Sequence, residues 1–288
     1  MAKSKNGGSR AYIRGRIGSD VYSVGKDGKG GRQQVVRSLA VQVTNPRTSS
    51  QMFGRMIMST VMQTVSALSQ IIDHSFDGVA KGQPSISEFI RQNYALVKAD
   101  AIAHPTEGNS FGLNKYQEKG AKLGAYVISN GSVPRNANLD ASAGPLTVYL
   151  GEGEKTVADF IANAGIGNDG YVTVVGIKAN GTGAFARLNV KEGVATSTVI
   201  TTENLSDIFE VDANGAYTLV YADNMLTLTI TGLDSDGAAN YIITKKENGA
   251  YVHSSATLVM AGSANFTSDI ALPTYPVGSA QFLNGGDI

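Results

Sequence analysis

The sequence contains neither cysteine nor tryptophan, and only three of its 288 residues are histidine. The absence of cysteine excludes disulfide bonds, thiolate metal sites and cysteine nucleophiles. The histidines, His74, His104 and His253, are far apart in the sequence and lack the spacing of a zinc-binding helix. The chain also lacks a nucleophile-elbow motif and a phosphate-binding loop motif. We therefore expect a non-enzymatic protein with no catalytic residues, no cofactor and no bound metal.

Long apolar segments are absent as well. No run approaches the roughly 20 apolar residues that cross a bilayer, and residues 1–10 are charged and glycine-rich. We therefore expect neither a membrane partner nor a secretory signal. What is present is 42% hydrophobic residues and 34 glycines, a composition that predicts a folded chain with many turns and short strands.

Charge is distributed unevenly, although the formal net charge is zero. Residues 1–55 carry eleven basic and two acidic residues, whereas residues 136–288 carry six basic and sixteen acidic residues. Opposite charge at the two ends of a chain favours head-to-tail contact between copies. A basic end is equally typical of a solvated arm that maintains solubility, and the composition leaves both interpretations open.

The first part of the chain predicts a basic β-ribbon. Residues 1–9 are polar and glycine-rich, which is typical of a flexible tail. Residues 11–43 alternate in the manner of strands on either side of a glycine-rich loop at residues 25–31. Basic side chains in this region and just after it are candidate contacts for a protein partner or nucleic acid: Arg14, Arg16, Lys26, Lys29, Arg32, Arg37, Arg47 and Arg55.

The clearest helix follows Asn45-Pro46. Thr48 is a suitable N-cap, and apolar residues recur at helical spacing from there to about Asp73. The other face carries serine, threonine and glutamine, with no charged residue between Arg55 and Asp73. A solvated helix normally carries charges on its outer face, so this pattern favours packing against another helix or a second subunit.

A second helix is predicted after a Gly/Pro-containing loop. Ser85 and Glu88 have the spacing of a capping box, and the helix should end near His104 because proline follows. We expect the two helices to form an antiparallel hairpin. Together with the ribbon, this hairpin is predicted to be one assembly module spanning residues 10–105, followed by a linker at residues 106–124.

The remainder predicts a β-rich sandwich domain over residues 125–260, with an immunoglobulin-like two-sheet fold and one short helix capped by Thr156 and Asp159. Asn248-Gly249 is a strong type I′ hairpin signal, and residues 261–288 predict an extended C-terminal arm. The overall fold class is α+β. The candidate strands are Tyr126–Ser129, Leu146–Leu150, Tyr171–Lys178, Phe185–Val190, Thr196–Thr201, Tyr217–Tyr221, Leu226–Thr231, Tyr241–Lys246 and Tyr251–Met260.

Two binding functions are open alternatives. The basic ribbon, with Tyr12 and Tyr22, has the residue types that hold phosphates and stack on bases. The β-domain has tyrosines, such as Tyr171, Tyr217 and Tyr251, that suit a glycan-binding or adhesive surface, although sugar sites often use the tryptophan that this chain lacks.

One stretch resembles a known family. The succession of GRIGSDVYSVG, QVVRSLAVQVTNPRTSSQMFGR and ISEFIRQNY, together with the later YIITKKENGAYVHSSATLVM, resembles an uncharacterised protein family of gut Bacteroidota and their tailed phages, including crAss-like phages. The resemblance covers most of residues 10–105 and 240–260. It implies a structural role in a phage particle, and it supplies no catalytic residues.

We therefore expect a structural or assembly protein of a tailed-phage particle, associated with the capsid or tail and made in the bacterial cytoplasm. Its expected partners are further copies of itself and other virion proteins, with nucleic acid as the alternative. No small-molecule substrate is expected. The absence of catalytic groups, the charge gradient and the family resemblance all point in this direction.

Overall fold

The computed structural model describes residues 3–5, 12–26, 31–39, 48–103, 125–141, 144–178, 182–233 and 238–260. The chain divides into two compact units, residues 1–47 and residues 48–288.

The N-terminal unit is an antiparallel sheet whose strands follow chain order. The strands are β1 (Lys3–Lys5), β2 (Tyr12–Ile17), β3 (Asp20–Lys26) and β4 (Arg32–Ser38). The turn at Gly18-Ser19 joins β2 to β3, and Gly18 has a φ of +59° that suits glycine. The predicted basic β-ribbon is thus present as a sheet.

The sheet differs from the prediction at its start. Residues 1–9 were expected to form a flexible tail, but Lys3–Lys5 pair with β2, with Lys3 opposite Arg14. Strand pairing uses backbone N–H and C=O groups, so a polar segment can extend a sheet edge despite its composition. The other residues of the predicted tail, and the predicted extension of the last strand to Val43, lie outside the described residues.

The second unit begins with two helices, α1 (Ser49–Ile72) and α2 (Gln83–Ala103). The N-cap prediction is confirmed, because the Thr48 hydroxyl accepts a hydrogen bond from the backbone N–H of Gln51. The predicted end of α1 is also confirmed, with Asp73 as the C-cap. Over the described residues, neither helix is long and apolar enough to cross a membrane.

The predicted capping box of α2 is wrong. The helix begins at Gln83, two residues before Ser85. The Ser85 hydroxyl instead donates to the carboxylate of Asp73 at 2.7 Å, and Glu88 pairs with Arg91 on the helix surface at 2.6 Å. A carboxylate on the incoming loop supplies a better partner for the serine hydroxyl than the helix backbone does.

Twelve further strands and two short helices follow within the described part of this unit. They are β5 (Val127–Ser129), β6 (Leu139–Asp140), β7 (Leu146–Tyr149), α3 (Val157–Ala164), β8 (Tyr171–Ile177), β9 (Gly183–Val190), α4 (Leu205–Ile208), β10 (Phe209–Ala213), β11 (Tyr217–Ala222), β12 (Met225–Ile230), β13 (Ala238–Glu247), β14 (Ala250–His253), β15 (Ala256–Thr257) and β16 (Val259–Met260). The main sheet has the order β10-β9-β8-β13-β14, with β16 also on β13. A second sheet has the order β11-β12-β7-β6, and β15 pairs with β5.

The main sheet packs against the second sheet on one face and against α1 and α2 on the other. Alternate side chains of a strand point to opposite faces, so Val172 and Val174 face the second sheet while Val175 and Ile177 face the helices. The first core joins Val172 and Val174 to residues of β7, β12 and α3. The second core joins Val175 and Ile177 to α1 and α2. The fold is therefore mixed α+β, with two packed sheets and a helical hairpin on the outer face of one of them.

This arrangement differs from the predicted domain boundary. The helices were grouped with the ribbon in a module at residues 10–105, whereas the structure divides the chain at residue 47. The physical reason is the second core, in which Ile57 and Phe89 pack with Ile242 of β13. The predicted linker at residues 106–124 and the predicted arm at residues 261–288 lie outside the described part of the chain.

Local turn signals are confirmed. Asn248 and Gly249 have φ angles of 51° and 80° and connect β13 to β14 as a two-residue hairpin. Thr156 and Asp159 form the predicted capping box of α3, and Gly165 ends the helix in the left-handed conformation.

Two strand predictions are corrected. The predicted strand Thr196–Thr201 is absent, and its Val199 makes only an isolated bridge to Thr156. The predicted strand Tyr251–Met260 is divided into β14, β15 and β16. The division occurs where Ser254 lies in the core, with its hydroxyl accepting from the Ile243 N–H at 2.9 Å.

Candidate functional site

The predicted contact residues do not all fall in one unit. Arg14, Arg16, Arg32 and Arg37 lie in the N-terminal sheet, as does the backbone of Lys26, which pairs with Arg32. Arg55 belongs to α1 and therefore to the second unit, where its guanidinium lies 3.7 Å from the sulfur of Met52. Lys29 and Arg47 lie outside the described residues.

Three arginines share one face of the N-terminal sheet. Arg16 is directly opposite Val21, and Val21 is directly opposite Arg37. Arg14 is two residues before Arg16 and so has the same orientation. At a strand spacing of about 4.8 Å, the backbones of Arg16 and Arg37 are about 10 Å apart. We call this set, Arg14, Arg16 and Arg37, the cationic face.

The other side of the sheet carries a group of apolar side chains, which share this side with Asp20, Arg32 and Gln34. Tyr22 is directly opposite Val36, and Ile17 and Val24 have the same orientation. Ile17 is 48% exposed and Val36 is 51% exposed. We call this set, Ile17, Tyr22, Val24 and Val36, the apolar face.

The sheet lacks a core of its own. None of the side chains described in residues 12–39 is buried, and every residue of β4 is exposed. A small sheet is stable only when one face is removed from water. The apolar face is therefore the part of the N-terminal unit that gains most from contact with another surface.

The register also bears on the nucleic-acid alternative. That alternative combined the arginines with tyrosine stacking, but Tyr22 lies on the apolar face, away from Arg16 and Arg37. The cationic face thus offers positive charge for phosphates without Tyr22 as a stacking platform.

The histidines of the second unit take part in the packing. His253 is 5% exposed, and its Nδ1 lies 3.0 Å from the Thr244 hydroxyl. Burial lowers the pKa of His253 and also the pKa of His74. His104 lies outside the described residues. Across the described ranges, no group of three or more histidine, aspartate or glutamate side chains is placed to hold a metal ion.

The tyrosines of the glycan alternative are divided between two sheets. Tyr171 of β8 and Tyr251 of β14 come together, with ring centroids 6.1 Å apart. Tyr217 lies in β11 of the second sheet. Sequence reasoning identified the tyrosines singly and missed Asn189 and Glu210. Only the strand register brings Asn189 beside Tyr171 and Glu210 beside Asn189.

Comparison with protein-family models, with curated proteins and with solved structures gives no match.

Proposed function

We propose that this protein is a non-enzymatic structural component of a tailed-phage particle that assembles with copies of itself and with other virion proteins. The phage setting comes from the resemblance of residues 10–105 and 240–260 to the phage-associated family. The observation that supports assembly is the uncovered apolar face of a sheet with no buried side chain among its described residues.

Charge supports contact between copies. The N-terminal unit, residues 1–47, carries ten basic and two acidic residues, a net charge of +8. Residues 48–288 carry fourteen basic and twenty-two acidic residues, a net charge of −8. The N-terminal unit of one copy is therefore attracted to the second unit of another, and this attraction weakens as salt rises.

The contact is tested by size-exclusion chromatography with light scattering on the full chain. We expect an oligomer for the wild type. Val36→Glu should shift the protein towards monomer, because it places a charge in the middle of the apolar face.

Gln33→Glu is the matched control, since it adds the same charge to an exposed position of β4 on the other side of the sheet. We expect this variant to keep the oligomeric state of the wild type. A wild-type monomer, or equal dissociation of the two variants, would contradict assembly through the apolar face.

The phage assignment has a separate test. Mass spectrometry of purified particles should detect the protein as a stoichiometric component, and its absence from particles would overturn the virion role. The finer expectations, an immunoglobulin-like sandwich and a capsid or tail position, remain predictions.

Nucleic-acid binding remains the second candidate because Arg14, Arg16 and Arg37 share one face. It predicts DNA binding that weakens steeply with salt and is lost when the three arginines become glutamine. If the protein does not bind DNA at low salt, or if its binding does not change with salt concentration, this candidate is removed and the assembly proposal is unaffected.

A further inference from the structure

A continuous polar row crosses the main sheet of the second unit. The register places Glu210 beside Asn189, Asn189 beside Tyr171, and Tyr171 beside Thr244. These residues share the face that the helices cover further along the same strands, at Val175. The strands thus carry a helix-packed core at one end of this face and a polar surface at the other.

The polar end forms an open cleft of about 650 Å³, within the range of about 300–1,000 Å³ that ligand sites occupy. The side chains that matter for recognition are two tyrosines, two carboxylates, an amide and an ammonium group: Tyr171, Tyr251, Asp169, Glu210, Asn189 and Lys246. Ile161 and Val194 contribute an apolar part of the wall.

The tyrosines form an aromatic wall. Their rings are inclined at 48° with centroids 6.1 Å apart, and Tyr251 is 50% exposed. Burial raises the pKa of the Tyr171 hydroxyl, which also takes part in a side-chain hydrogen bond with Thr244. An exposed aromatic ring beside hydrogen-bonding groups suits a ligand with one apolar side and several hydroxyl groups.

The polar groups are held in position by their neighbours. The Asn189 side-chain amide donates to the Glu210 carboxylate at 3.3 Å, and the Lys246 ammonium group lies 3.7 Å from the Asp169 carboxylate. A carboxylate has two oxygens and about four acceptor positions. Each pair therefore keeps acceptor capacity for a ligand hydroxyl while its orientation is restricted.

The charge of the cleft disfavours anionic ligands. Asp169, Glu192 and Glu210 line it, and of the two lysines, Lys191 donates to the backbone carbonyl of Ser206 at 2.6 Å. Three carboxylates repel phosphate, sulfate and carboxylate groups, because like charges at close range raise the free energy of binding.

We propose that this cleft binds a neutral saccharide. One pyranose ring of a saccharide chain places its apolar C–H side against Tyr251 and donates a hydroxyl to Asp169. Hydroxyl groups of a following ring donate to Glu210 and accept from Asn189, because Glu210 and Tyr251 lie in opposite edge strands of the main sheet. This binding activity goes beyond the assembly role and does not depend on it, because the cleft lies within the second unit and the assembly proposal rests on the N-terminal sheet.

The test uses the full chain on an array of neutral and acidic glycans, followed by calorimetry with the saccharides that bind. We expect binding of neutral saccharides, and a loss of affinity of about tenfold or more for Tyr251→Ala, as for other exposed aromatic contacts at binding sites. Glu210→Gln should weaken binding as well, because it replaces a charged acceptor by a neutral amide.

Tyr217→Ala is the matched control, since Tyr217 is 43% exposed in a strand of the second sheet. It should bind as the wild type does, and circular dichroism should show all three variants folded. No binding to any glycan, binding restricted to acidic glycans, or equal losses for Tyr217→Ala and Tyr251→Ala would overturn the proposal. None of these outcomes would alter the oligomeric state, so the assembly role is judged separately.

Discussion

The carboxylate of Asp77 accepts a hydrogen bond from the backbone N–H of His253 at 2.7 Å, although 176 residues separate the two in the chain. Its second oxygen accepts from the backbone N–H of Ser132 at 2.8 Å and from the Ser132 hydroxyl at 3.1 Å. One side chain in the segment between α1 and α2 thus connects the end of β14 to the segment after β5. This bond network fixes the helical hairpin against the strands.

Asp77→Ala should therefore destabilise the second unit. It removes three hydrogen bonds to an ionised acceptor, and we expect the free energy of unfolding to fall by about 2 kcal/mol or more. Urea denaturation measures the change. Glu203→Ala, at an exposed acidic residue, should change stability by less than about 0.5 kcal/mol. Equal effects of the two variants would show that Asp77 does not connect these segments.

Asn93 is the corresponding contact within the helical core. It is fully buried in α2, and its side chain both donates to the Val127 carbonyl at 2.9 Å and accepts from the Val127 N–H at 2.8 Å. Asn93→Ala should cost about 2 kcal/mol, because it leaves the half-buried N–H and carbonyl of Val127 without these partners. Leu96→Ala, on the exposed side of the same helix, controls for helix propensity and should cost much less in the same denaturation experiment.

Gly183 allows β9 to approach α1 closely. A Cβ at this position would overlap the carbonyl oxygen of Ala67, next to the non-helical backbone of Leu68. We expect Gly183→Ala to destabilise the protein by about 2 kcal/mol or more, since relief of the overlap requires a shift of closely packed backbone. Gly54→Ala places the same methyl group in open space within α1 and should stabilise the helix by up to about 1 kcal/mol. Thermal unfolding should move the midpoint in opposite directions for the two variants.

Stability should also depend on pH through His253. Burial holds the pKa of His253 below its ordinary value, with Asp77 opposing the shift and His74 and Arg187 adding to it. The unfolded chain then binds more protons than the folded chain, so the free energy of unfolding falls as pH decreases through about 6.5. Urea denaturation between about pH 7.5 and pH 5.5 measures this slope.

His253→Asn should flatten the slope without removing it, because burial also lowers the pKa of His74. The lowered pKa of Asp73, caused mainly by its hydrogen bond to Ser85, acts at more acidic pH and so does not interfere. An unchanged slope in the variant would show that His253 titrates in the same way in both states.

Signals that act over a few residues were predictable from the sequence. Thr48 caps the helix that directly follows it. Asn-Gly favours the positive φ angles of a tight hairpin, and Asn248-Gly249 adopts them between β13 and β14. Ser85 shows the limit of such signals. Its spacing to Glu88 fits a capping box, but the Ser85 hydroxyl donates instead to the carboxylate of Asp73 at the end of α1.

Contacts between distant segments were not predictable. The boundary at residue 47 depends on the second core, which includes both Ile57 of α1 and Ile242 of β13, and no local pattern contains this association. The candidate sites likewise have one part that a local pattern predicts and another that depends on contacts between distant segments. Strand alternation places Arg14 and Arg16 together, whereas the addition of Arg37, and the meeting of Tyr171 with Tyr251, require the strand register.

The position of β13 has a consequence for biosynthesis. This strand lies between β8 and β14 in the main sheet, yet it is translated after the whole of the second sheet. When a ribosome-bound chain has emerged only as far as Ile230, the edge of β8 that pairs with β13 is still unpaired. The sheet surface on which α1 and α2 pack is also incomplete, because it includes Ile242 of β13. Until β13 is made, newly synthesised chains therefore pass through a stage in which edge-to-edge association with other chains is favoured.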